Sequence, residues 1–130
     1  MGRVLWVDLS TGRLTDQRLD DEVCRDYIGG YGIGMRLIYD NQKAGFDPLD
    51  PESIVAFGTG PLTGSPAVIG SRFTVMGKSP VSGTWGDANS GGYFGPALKR
   101  AGYDMVFIKG QSETPVYLAI DNGRAELKDA

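Results

Sequence analysis

The sequence predicts an α+β fold that is strand-dominated, with mostly antiparallel sheets and two or three short helices. Three observations carry that prediction. Short runs rich in Val, Leu, Ile and Trp recur along the chain, and tight turn signals join them, Ser10-Thr11-Gly12 near the start and Asp121-Asn122-Gly123 near the end. The stretches with helix signals are brief, at 20–27, at 35–39 and in a segment that starts near Tyr93. Twenty glycines among 130 residues are roughly double the usual share of about 7%, and they cluster instead of forming a low-complexity tract, so they read as backbone requirements of turns.

Taken in order, residues 3–9 form a strand, Ser10-Thr11-Gly12 turns it, and residues 13–19 return, so the chain opens with a β-hairpin. Asp20 is placed to cap a short helix through Tyr27, with Asp21 and Glu22 in the first turn where the helix dipole favours acid, and Ile28-Gly29-Gly30 ends it. The phrase Gly30-Tyr31-Gly32-Ile33-Gly34 invites a dinucleotide-binding reading. That pattern needs a glycine where Met35 stands and a strand immediately before it, and neither condition is met. These glycines read instead as points of close packing for a helix over 35–39 that carries Leu37 and Ile38, with direct ligand contact as the lesser reading. Residues 46–52 hold Pro48 and Pro51 and form a turn-rich linker, because each proline pushes its predecessor out of the helical region.

Residues 53–58 are a buried strand, and 59–70 follow as a long loop of the kind that is more often functional than idle in a small domain. Residues 71–76 are the next strand, on which alternation puts Phe73 and Val75 toward the core and Arg72 on the opposite side. Further strands run over 104–109, 116–121 and 124–128, the last two joined as a hairpin. The glycine-glycine-tyrosine phrases at 29–31 and 91–93 each precede a helix, which hints at an internal duplication.

The chain is organised around residues 70–102. Residues 78–92 read as turn formers that leave backbone N–H groups free. Pro96 lacks an N–H and is tolerated only in the first turn of a helix, so the helix cannot begin much before Tyr93 and its positive end faces Ser90-Gly91-Gly92. Donors arranged in this way favour phosphate or another anion, with Arg72 and Lys78 upstream as charge partners. A glycine-rich loop needed only for tight turns is the plainer alternative.

Composition sets the outer bounds. The length suits one domain, and 41% hydrophobic residues suffice for a modest core. No apolar run of about 18 residues exists, and the start Met-Gly-Arg-Val-Leu-Trp lacks the apolar region of a signal peptide, so a cytoplasmic setting without membrane contact is expected. A net charge of -3 with no histidine argues against a nucleic-acid surface and removes the commonest general base and metal ligand. Cys24 is alone, can form neither an internal disulfide nor a Cys-rich metal site, and reads as a small buried apolar residue. No catalytic residue is assigned.

The run from Gly86-Asp87-Ala88-Asn89-Ser90-Gly91-Gly92-Tyr93-Phe94-Gly95-Pro96 through Ala97-Leu98-Lys99-Arg100-Ala101-Gly102-Tyr103-Asp104 resembles the N-terminal domain of the tungsten-containing aldehyde ferredoxin oxidoreductase family. Three more runs match in the family's order: Gly29-Gly30-Tyr31-Gly32-Ile33-Gly34, then Ala56-Phe57-Gly58-Thr59-Gly60-Pro61-Leu62-Thr63-Gly64, then Arg72-Phe73 followed by Lys78-Ser79-Pro80. The resemblance implies that residues 1–130 are a tungstopterin-binding base within a longer oxidoreductase subunit. It implies a tungsten, or molybdenum, bis-pterin cofactor and a 4Fe-4S cluster held by domains outside this chain. The implied activity is oxidation of aldehydes to carboxylates with electrons passed to ferredoxin, and a homodimer of the full-length enzyme is compatible with it. The matching positions Arg72, Asn89 and Gly91 are then expected to contact pterin or its phosphate, with Ser90 and Gly92 as adjacent candidates. The carbonyl of Asn89 is the expected protein ligand of a magnesium ion that bridges the pterin phosphates, which suits an ion that takes phosphate oxygens, waters and few protein groups. The alternative is a free-standing phosphate- or nucleotide-binding module without redox activity.

Overall fold

The computed structural model describes residues 2–130. Eight strands and three helices follow in the order β1 (Arg3–Asp8), β2 (Arg13–Arg18), α1 (Asp21–Tyr27), α2 (Tyr31–Asn41), β3 (Val55–Thr59), β4 (Phe73–Lys78), β5 (Trp85–Ser90), α3 (Phe94–Arg100), β6 (Met105–Lys109), β7 (Val116–Asp121) and β8 (Arg124–Asp129). Six strands form one sheet in the order β2-β1-β6-β3-β4-β5, in which only β1 and β6 run parallel, while β7 and β8 form a separate hairpin. This is the strand-dominated, mostly antiparallel α+β design that the turn signals predict.

Alternation along the strands divides the core into two layers. In β1, Val4 and Trp6 join Ala56, Met76, Met105 and Phe107 beneath α1 and α2, and Trp6 stacks on Phe107 with ring centroids 4.4 Å apart. Leu5 and Val7 face the other way and pack with Val106, Leu98 of α3 and the apolar face of the β7–β8 hairpin. The parallel pair lies at the centre, where covering layers on both faces satisfy its buried apolar runs. The two glycine-glycine-tyrosine phrases thus lead into helices on opposite faces of the sheet, α2 over one layer and α3 over the other. Cys24 is half-buried against the α1–α2 layer, as a small apolar side chain would be.

Two tethers hold the pieces together. The carboxylate of Asp104, at the start of β6, accepts from the N–H groups of Gly2 (2.7 Å) and Arg3 (3.0 Å) and pairs with the Lys99 ammonium of α3. The Arg3 guanidinium lies 4.2 Å from the Tyr103 ring centroid and donates to Asp16 and to the Gly123 carbonyl, which ties the β7–β8 turn to the main sheet. That turn contains Asn122 and Gly123, both at positive φ, as a two-residue hairpin requires.

Several expectations are corrected. Residues 85–90 are not part of a free loop but the edge strand β5, paired along its whole length with β4, and only 79–84 turn between them. Its polar sequence concealed it, because an edge strand open to solvent on one side needs no apolar run. Helix α2 begins at Tyr31, four residues before the predicted start, and takes Gly32 and Gly34 into its interior. Asp20 occupies the N-cap position of α1 yet makes no side-chain capping bond. On β4 the buried residues are Thr74 and Met76, while Phe73 and Val75 are half-buried on the α3 side, where Phe73 packs on Phe94 at 4.6 Å.

Candidate functional site

Register builds the site. Thr74 lies opposite Gly58 on β3 and opposite Asn89 on β5, and residues directly opposite one another project from the same face. That face is the one under α2, since a Cβ at Gly58 would meet the methyl groups of Met76 and Met105 at 2.9 and 3.1 Å. The same Cβ would lie 3.5 Å from the Gly30 carbonyl, so the missing side chain at position 58 keeps open the space between the sheet and the start of α2. Gly30, Tyr31, Gly58, Arg72, Thr74 and Asn89 line the resulting cleft, whose volume is about 260 Å³. A small molecule is usually enclosed by about 300–1,000 Å³, so this cleft is one wall of a site and not a complete one.

Arg72 stands at the mouth, one residue before β4, and its backbone is held by a relay: Thr63 donates its hydroxyl to the Arg72 carbonyl (2.9 Å) and accepts from the N–H of Gly60 (3.1 Å). Helix α3 closes on the same backbone, because a Cβ at Gly95 would meet the Thr63 methyl at 3.0 Å and the carbonyls of Ser71 and Arg72 at 3.3 Å. The guanidinium lies against Gly91, with Nη1 3.7 Å from where a Cβ of that glycine would be. Its side chain is exposed and makes no ion pair among the described residues. Among those residues no carboxylate lines the cleft, so the one guanidinium makes it locally positive.

The structure therefore brings Arg72 and Asn89 to one cleft and sets Gly91 beside it, while Ser90 and Gly92 are exposed and do not line it. Lys78 lies at the far end of β4, where its ammonium donates to the Phe46 carbonyl (2.6 Å), and is no charge partner of Arg72. The N-terminus of α3 is weaker as an anion site than its glycines suggest, since that helix has only seven residues. A larger apolar cleft of about 470 Å³ lies between Tyr39, Phe46 and Trp85 and is lined by two cations, Lys43 and Lys78, of which Lys78 is engaged with Phe46. Among the described residues no three His, Cys, Asp or Glu side chains gather to hold a metal.

Sequence reasoning missed Thr63, Thr74 and Gly58, and it ranked Gly30 and Tyr31 as packing residues. The packing reading holds for Gly32 and Gly34, whose added Cβ atoms would overlap the Tyr27 carbonyl and the Met76 sulfur. Thr74 shares the parity of Arg72 on the strand, and that was the available signal.

Comparison with known proteins places the chain. A family profile described as the N-terminal domain of aldehyde ferredoxin oxidoreductase matches residues 4–130. The tungsten-containing aldehyde ferredoxin oxidoreductase of Pyrococcus furiosus is 41% identical over 99% of this chain, and its counterpart in Thermococcus kodakarensis is 42% identical over the same share. Among solved structures, the active-site complex BamBC of benzoyl coenzyme A reductase in complex with 1,5-dienoyl-CoA superposes with a TM-score of 0.94 at 34% identity, covering 98% of this chain and 20% of that one. The chain spans 21% of the length of the curated relatives. With the profile covering nearly every residue and the sheet superposing on a solved relative, the chain belongs to the aldehyde ferredoxin oxidoreductase family as its N-terminal domain.

Proposed function

We propose that residues 1–130 form the pterin-binding base of a cytoplasmic tungsten- or molybdenum-dependent iron–sulfur oxidoreductase. The whole enzyme converts an aldehyde and water to a carboxylate, three protons and two electrons, and ferredoxin accepts the electrons one at a time. The observation that carries this reading is the row Gly58–Thr74–Asn89 under the start of α2, with Arg72 at its mouth and, among the described residues, no carboxylate lining the cleft.

The residues fit a phosphate-bearing pterin. Arg72 offers a planar fork for bidentate contact to phosphate, the glycines admit a close backbone approach, and the buried Thr74 hydroxyl lacks a partner among the described residues. Arg72 would hold the phosphate, Asn89 and Gly91 would contact the pterin, and Ser90 and Gly92 flank them on the exposed side. The Asn89 carbonyl would hold a magnesium ion that carries phosphate charge, a suitable role where, among the described residues, no acidic cluster gathers. When bound, the cofactor supplies the redox chemistry; this chain binds it, orients it and excludes water from one side. The 4Fe-4S cluster and the groups that meet the aldehyde belong to the remaining domains, and the full-length enzyme can pair as a homodimer.

The test is Arg72→Lys in the full-length enzyme, purified anaerobically, with tungsten and pterin per subunit measured beside thermal stability. Lysine keeps the charge and loses the fork. Metal and pterin content should fall severalfold, whereas stability without cofactor should change by less than about 0.5 kcal/mol, the usual limit for an exposed site. Wild-type content in the variant would make Arg72 an ordinary surface charge and remove this face from the cofactor.

A further inference from the structure

We infer that the start of helix α2 and the hydroxyl of Thr74 form a second oxyanion pocket in the same cleft, one that takes a phosphate group through contacts separate from Arg72. The inference rests on the reading of this cleft as the cofactor face.

Two independent observations point to it. Thr74 is only 5% exposed, lines the cleft, and carries the one buried side-chain polar atom that lacks a hydrogen-bond partner among the described residues. Most buried polar side-chain atoms are paired, so a hydroxyl kept without a partner beside an open cleft marks a place for a ligand atom. The second observation is the uncapped start of α2, a helix of eleven residues. Its N-cap is Gly30, no side chain caps it, and its first turn contains no acid. Gly32 and Gly34 donate to the carbonyls of Gly29 and Gly30, but the N–H groups of Tyr31 and Ile33 have no acceptor among the described residues.

Chemistry selects the ligand. The helix end is positive and offers donors, which disfavours a cation, and the Thr74 hydroxyl can rotate to donate as well. The helix start at Gly30 and Tyr31 and the Thr74 hydroxyl line one cleft, with no carboxylate lining it among the described residues, and a tetrahedral oxyanion such as a phosphate or phosphate ester suits that set. The glycines at 29 and 30, with φ of 155° and 50°, hold the chain in a conformation that L side chains rarely adopt and turn the helix start toward the sheet.

The experiment uses the isotopically labelled chain and inorganic phosphate, with potassium chloride at matched ionic strength as the control. Phosphate should shift the amides of Tyr31 and Ile33 saturably. Thr74→Val should weaken that binding about tenfold while raising the melting temperature, because the methyl replaces a hydroxyl that has no partner in the protein. Thr74→Ser, which keeps the hydroxyl, should bind within about twofold of wild type. Unchanged binding in Thr74→Val, a lowered melting temperature in that variant, or no response at Tyr31 and Ile33 each overturns the inference. Shifts confined to Arg72 and Asn89 would overturn it and leave the cofactor reading standing. The cofactor reading itself falls by wild-type tungsten and pterin content in Arg72→Lys.

Discussion

Asp104→Ala should destabilise the chain by about 3–5 kcal/mol in urea unfolding at pH 7, because it leaves one buried charge and two backbone donors without partners. The Lys99 ammonium, mostly buried on α3, loses its counter-charge, and the N–H groups of Gly2 and Arg3 lose their acceptor. The damage reaches three elements, since this carboxylate joins the start of β1 to α3 and β6. Lys99→Met should cost less, because the carboxylate keeps its two backbone donors. A loss below about 1 kcal/mol in Asp104→Ala would show that water screens the pair as it does at an exposed site.

The same pair sets a pH dependence. Burial pushes the Asp104 carboxyl up, but the Lys99 ammonium and the backbone donors of Arg3 and Gly2 together outweigh it and hold the carboxyl below its ordinary value of 3.8. A carboxyl lowered in the folded state contributes stability above the unfolded pKa and loses it as pH falls through the folded one. Stability should therefore hold from neutral pH down to about 4 and decline below it. Asp104→Asn should flatten that acid limb. It should not abolish it, because the hydrogen bond from Arg3 also lowers Asp16.

Gly32→Ala should destabilise the chain by about 2–3 kcal/mol, the upper part of the range for overpacking, although the same change in an open helix would gain about 1 kcal/mol. The sign inverts because the added Cβ would overlap the Tyr27 carbonyl, a backbone atom that can move only if α1 and α2 part. Gly34→Ala meets the Met76 sulfur instead, and a flexible thioether can give way, so its cost should be smaller. Parting α1 from α2 would also displace the helix start that lines the cleft, so phosphate shifts at Tyr31 should weaken together with stability. Gly32→Ala at or above wild-type stability would mean that the two helices are loosely joined.

Much of this arrangement was legible one residue after another. Alternation read β1, β6, β7 and β8 to within a residue or two, Asn122-Gly123 read as a hairpin, and Pro96 set the start of α3. The strand expected over 71–76 starts at Phe73, so Arg72 lies one residue before β4 and not on it; parity carried back still puts it opposite Phe73 and Val75, but it misjudged which side was the more deeply buried, because both faces of this sheet are covered. Strand β5 was not legible, since its polar residues pair through backbone groups that no side-chain pattern announces.

The sequence by itself determined the elements that depend on a few neighbouring residues: the hairpin turns, the short helices α1 and α3, and the glycine positions where the backbone bends. Local sterics and alternation set these, and both act over a few bonds. Only the tertiary structure decided that β1 pairs in parallel with β6, about a hundred residues later, and that Gly58, Thr74 and Asn89 fall in one row beneath the start of α2. Those outcomes follow from which apolar faces bury each other and which backbone edges remain to be paired, and these conditions are met only when the whole sheet is assembled.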